Sequence, residues 1–185
     1  MASVLESLKS EHRTFRRYLD LFEAEIAKYE TGESPDYPLI DLLLSYFTSF
    51  PDAWHHRKED HVYDVLIAKP GETARRLYDL HAEHERLRES VEHFAGLIEH
   101  LRMGGDVPAD VLLGDGRAYA NLLREHMRKE DEEFLPAAEM RLDEKDWNAI
   151  ARAIEHALAE SGGAKLGARL TALEDSINEA AQPEG

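Results

Sequence analysis

The sequence predicts an all-α protein, an antiparallel up-and-down four-helix bundle with one or two additional C-terminal helices. Three observations lead there. Apolar residues recur at alternating steps of three and four over long segments. Loop-forming glycines and prolines separate those segments at Thr31 to Pro38, Lys69 to Glu72 and Met103 to Pro108. Short runs with the two-residue period of a strand are absent from the sequence.

The first helix is marked by Leu5, Leu8, His12, Phe15, Leu19, Phe22 and Ile26, the narrow apolar seam of a bundle helix. The second carries Ile40, Leu44, Phe47, His55, Glu59, Val62 and Leu66 on one face, and Pro51 should kink it one turn before His55. The third repeats the seam through Leu77, Leu80, His84, Leu87, Val91, Phe94, Ile98 and Leu101. The fourth presents Leu112, Tyr119, Leu122, His126, Glu130 and Phe134. Breaks at Pro136, at Arg141 to Asp143 and at Ser161 to Gly163 close this region. Asp143 then reads as the N-cap of a fifth helix with Trp147, Ile150 and Ile154, and Lys165 to Ala180 suits a sixth. Residues 1–140 are thus expected to form the bundle and residues 141–185 an extension packed on it or at a subunit interface.

An internal echo supports pairing these helices as two related hairpins. The stretch His55-His56-Arg57-Lys58-Glu59-Asp60 matches His126-Met127-Arg128-Lys129-Glu130-Asp131, and Glu11-His12 matches Glu83-His84. In an antiparallel pair, two residues share a level when their sequence midpoint falls in the connecting loop. The midpoint of His12 and His55 falls within Thr31 to Pro38, that of His84 and His126 at Gly104-Gly105, and that of His55 and His84 beside Pro70-Gly71. Four helices therefore each deliver one histidine to the same level.

Composition limits what such a core can do. The 185 residues, 43% hydrophobic, suffice for one sizeable core. Thirty-eight acidic against twenty-two basic residues leave a formal charge of −16, which disfavours nucleic acids and anionic membrane surfaces as partners. With no cysteine, thiolate metal sites, disulfides and cysteine catalysis are excluded. The N-terminal stretch lacks an apolar signal region and no later run is long enough to span a bilayer, so a cytoplasmic protein, monomer or homodimer, is expected.

Residues four apart share a helix face, so His55 with Glu59 and His126 with Glu130 each present an imidazole beside a carboxylate. Burying two facing carboxylates is costly, and no lysine or arginine stands in the seam at this level to neutralise them. A pair of divalent cations would satisfy charges and lone pairs together. Imidazole and carboxylate without sulfur suit iron or manganese, with zinc a third candidate. The metal-ligand set is then His12, His55, Glu59, His84, His126 and Glu130. His56 and His81 stand beside it, each suited to an outer hydrogen-bonding role or to serving as a fifth imidazole. His61, His93, His100 and His156 lie off the seam or away from this level and are expected in solvent, while Tyr119 is expected to pack in the core.

His12, His55-x-x-x-Glu59, His84 and His126-x-x-x-Glu130 resemble the hemerythrin-like HHE cation-binding family, over about residues 3–140. The resemblance implies a non-heme di-iron centre with an oxo or hydroxo bridge, Glu59 and Glu130 bridging and the histidines as terminal ligands. It differs from the oxygen carriers on the third helix, where they have two histidines four apart and this chain has Leu80 and Arg88 around His84. The four-histidine, two-glutamate count is closer to the di-iron proteins of iron–sulfur repair under nitrosative stress and to iron-sensing domains, although the cysteine-bearing N-terminal segment of the repair group is missing. The implied function is binding or sensing of oxygen, nitric oxide or hydrogen peroxide. The alternatives are a di-iron enzyme of oxidative or nitrosative stress defence, and labile iron storage or donation.

Overall fold

The computed structural model describes residues 2–70, 79–160 and 162–182. Gly71, Glu72, Leu77 and Ser161, used in the sequence reading, lie outside the described residues. The described chain is helical throughout: α1 (Ala2–Thr31), α2 (Tyr37–Phe50), α3 (His56–Ile67), α4 (Leu80–Arg102), α5 (Ala109–Lys129), α6 (Leu135–Arg141), α7 (Glu144–Glu160) and α8 (Gly163–Ala180). Two π-helical turns interrupt this series, Pro51–His55 between α2 and α3 and Glu130–Phe134 between α5 and α6.

Local chemistry sets the helix ends. Asp36 accepts a hydrogen bond from the Leu39 amide at 3.0 Å to start α2, and Asp79 accepts from Ala82 at 3.1 Å to start α4. Asp143 opens α7 as expected, its carboxylate accepting from the Asp146 amide while Asp146 accepts from that of Asp143, both at 2.9 Å. At Gly104, φ of +84° ends α4 in a conformation that side chains rarely tolerate. The eighth helix begins at Gly163, slightly ahead of the expected Lys165.

The helices of the two hairpins pack as a bundle, α1 against α5, α4 against α5, and α2 and α3 against both α1 and α4. Close approach of α5 depends on Gly116, where an added Cβ would meet Ile26 at 2.8 Å and Phe94 at 3.0 Å. Two apolar cores result. One gathers Phe15, Phe22, Phe47, Phe94, Tyr119 and Met127. The other, at the opposite end, gathers Leu8, Val62, Leu80, Phe134, Trp147 and Ile150. In every bundle helix the polar residues of interest stand between members of the two cores, as His12 does between Leu8 and Phe15. The C-terminal helices cover separate faces, α7 against α3 and α8 against α2 with Ile177 buried.

Some details differ from the sequence reading. Pro51 produces a π turn in place of a simple kink, because the wider turn accommodates a residue that has no N–H to donate. On α5 it is Leu123 and Met127 that are buried, with Leu122 only half-buried. Leu101 is likewise half-buried. Among the described residues no helix is long and apolar enough to cross a membrane.

Candidate metal centre

His12, His55, His84, His126, Glu59 and Glu130 meet in one buried layer between the two apolar cores. His56 joins them. Two sets of four residues each bring their donor atoms within 4.8 Å of one another: His12, His55, Glu59 and Glu130 in one, and His56, His84, His126 and Glu59 in the other. Glu59 belongs to both. Its Oε1 lies 3.3 Å from His55 Nε2 and 3.5 Å from His12 Nε2, while Oε2 lies 3.4 Å from His84 Nε2. Glu130 is arranged alike, with Oε2 3.3 Å from His12 Nε2 and Oε1 3.0 Å from His126 Nε2 and 3.8 Å from His84 Nε2. Each carboxylate thus directs one oxygen to each half.

These contacts are close without being hydrogen-bonded. All four carboxylate oxygens, His84 Nε2 and His126 Nε2 are buried and lack a well-aligned hydrogen-bond partner. His12 Nε2 and His55 Nε2 face each other at 3.1 Å. Two donors about 2.1 Å from a common ion and at right angles stand about 3 Å apart, so this spacing fits a shared cation. The donors are nitrogen and oxygen only, the set that suits iron and manganese.

Electrostatics ties these imidazoles closely to the two carboxylates. Burial works against a charged imidazole, yet the hydrogen-bonded Asp131 and the adjacent Glu130 and Glu59 carboxylates push His12 up to about 11. Against the same opposition, Asp60, Glu130 and Glu59 push His84 up to about 11, and Glu130 with Glu83 pushes His126 up to about 9. Burial would raise Glu59, but His55, His12 and His84 hold it well below the usual carboxylate range. Glu130 is lowered too, its burial and the repulsion of Glu59 outweighed by His126 and His12. With protons alone available, the two carboxylates charge the imidazoles around them; cations would take that place.

Four of the inward-facing imidazoles are each held from behind by a carboxylate. His55 Nδ1 contacts Glu11 at 2.8 Å, His126 Nδ1 contacts Glu83 at 3.1 Å and His12 Nδ1 contacts Asp131 at 2.9 Å. His84 Nδ1 faces Asp60 at 3.3 Å. These contacts favour a proton on Nδ1 and leave the Nε2 lone pair directed inward. The pattern crosses between hairpins: Asp60, which follows Glu59, serves His84, and Asp131, which follows Glu130, serves His12.

Of the two neighbours that the sequence offered, His56 is the one that the structure brings into the layer. Its ring stacks on His84 with centroids 3.7 Å apart and planes 10° apart. His55 and His56 are both buried at the junction of the π turn and α3, as are the corresponding neighbours His126 and Met127 on α5. His81, the other neighbour considered, is 49% exposed, belongs to neither set, and contacts Asp60 at 3.0 Å and Asp64 at 3.3 Å. His93, His100 and His156 are exposed and His61 is half-buried. Lys58 was not anticipated: it is buried, outside the seam, and ion-paired with Glu11. The repetition of Lys-Glu-Asp after both histidines is the sequence signal that could have drawn attention to it.

Fold and site together define a helical bundle with a buried histidine–carboxylate cation site. The chain belongs to the hemerythrin HHE cation-binding domain family, whose profile matches residues 3–138. No curated protein and no solved structure matches it.

Proposed function

We propose that this protein holds two iron ions in the buried layer and uses them to bind or sense a small ligand, oxygen, nitric oxide or hydrogen peroxide. The observation that carries the reading is the double membership of Glu59, whose two oxygens face the imidazoles of opposite halves. Glu59 and Glu130 would bridge the ions, His12 and His55 would hold one, and His56, His84 and His126 the other. Iron held in this way supplies one-electron redox change and a coordination position for the incoming ligand.

The protein's own residues do the rest. Five imidazoles and four carboxylate oxygens make nine donors, fewer than two ions of about six-fold coordination take up, so positions remain for an outside molecule. The flanking apolar cores exclude bulk water. A cavity of about 10 Å³ beside His56, lined by Phe47, Val91, Tyr119 and Leu123, has room for about one water-sized molecule. In this reading residues 1–140 form the cation-binding unit and residues 141–185 an extension of it.

Iron analysis combined with optical spectra tests the reading. Two irons per chain, with a spectral change when the reduced protein meets oxygen or nitric oxide and no steady consumption, is the expected result. Sustained turnover with an added electron donor would favour an enzyme. Absence of iron from protein expressed with ample iron would refute the proposal.

A further inference from the structure

We infer that Lys58 and Lys129 are positioning residues for the metal centre, acting through Glu11 and Glu83 to set the charge felt by His55 and His126 and so the reduction potential of iron bound there. This rests on the two-iron reading above.

A buried lysine is uncommon, and Lys58 is only 5% exposed. Its ammonium contacts Glu11 Oε1, lies 3.0 Å from Ser7 Oγ and stands 5.3 Å from the centre of the Trp54 ring. Ser7 Oγ in turn donates to Glu11 Oε1 at 2.8 Å. The other oxygen, Oε2, accepts from His55 Nδ1. One oxygen of Glu11 therefore serves the cation and the other the imidazole.

The second hairpin builds the same device independently. Glu83 Oε1 accepts from Lys129 Nζ at 2.6 Å, and its Oε2 faces His126 Nδ1 at 3.1 Å. In both hairpins the lysine follows the histidine by three residues, and the carboxylate precedes the histidine of another bundle helix. A carboxylate on Nδ1–H draws the proton toward itself and makes the imidazole a stronger electron donor, which favours the more oxidised iron. An ammonium on the far oxygen offsets that charge, and burial leaves the interaction poorly screened.

The charge argument predicts shifts of opposite sign, which a packing role would not produce. In redox titrations of the iron-loaded full chain, Lys58→Met should lower the potential, because an anion then stands uncompensated behind His55. Glu11→Gln should raise it, because the amide oxygen still accepts from Nδ1 while Lys58 keeps its charge. The double variant should return close to the wild-type value, and Lys58→Arg should stay near it. Shifts in one direction for both single variants, or none, would overturn the inference. Should Lys58→Met fail to fold, Lys129→Met and Glu83→Gln provide the same pair of opposite shifts at a partly exposed lysine. Iron missing from the wild-type protein would overturn the two-iron reading and this inference together, whereas iron present with unshifted potentials would overturn this inference alone.

Discussion

At Glu59 both carboxylate oxygens are buried and face imidazole nitrogens from opposite halves of the layer. Removing that side chain takes a shared donor from two sets at once. Glu59→Ala should therefore lose metal from both halves and His126→Ala at least one ion, whereas exposed His100→Ala should lose none. Elemental analysis decides this, and equal metal content in all three variants would contradict the ligand assignment. The same residues set a pH dependence. His12 and His84, raised to about 11, and His126, raised to about 9, lie above the ordinary 6.5. In metal-free protein their stabilisation is complete below about pH 6.5 and is lost as pH rises through those values. Glu59 and Glu130 are lowered, so their contribution is present above the ordinary 4.5 and is lost as pH falls through their lowered values. Metal-free protein should then be most stable between about pH 4.5 and 6.5. Bound cations require neutral imidazoles, so loaded protein should lack the alkaline decline and should lose its metal in acid. Thermal unfolding of chelated and loaded protein across pH would reveal a crossing pattern; parallel curves would contradict it.

At the scale of elements, the two π turns matter more than helix length. Pro51 opens the first, and Pro136, with no N–H to return to the carbonyl of Glu132, follows the second. The first turn adds a residue to the winding just before α3 and so sets the rotation at which His55, His56 and Glu59 are presented to the layer. Deleting Ala53 should restore regular winding and rotate the two halves of this helix relative to each other by about 100°. Helical content by circular dichroism should remain near that of the parent while bound metal falls below one ion per chain; full metal content would show that the turn is not what places these histidines. Seams such as Leu5 to Ile26 were legible because a helix repeats its faces at a fixed interval. His56 and His81 were both legible as neighbours of the ligand set, but the repeat interval does not say which of them faces inward.

For the whole molecule, the polar layer is stable in position because an apolar core lies on either side of it. Trp147, fully buried in the end core formed with α7, tests how separable these parts are. Trp147→Ala should destabilise the fold by about 3–5 kcal/mol in denaturant unfolding, while its metal content, measured under folding conditions, stays unchanged. Loss of metal in step with stability would mean that the end core and the site are one unit. By itself the sequence determined the helical class, the pairing of hairpins and the level at which six polar residues meet, since periodicity and loop midpoints are properties of a one-dimensional chain with a constant rise per residue. Only the tertiary structure decided that His56 enters the layer while His81 stays at the surface, and that Glu11, Glu83, Asp60 and Asp131 stand behind the imidazoles. Those choices depend on local winding and on side-chain reach between helices far apart in sequence, neither of which a spacing rule contains.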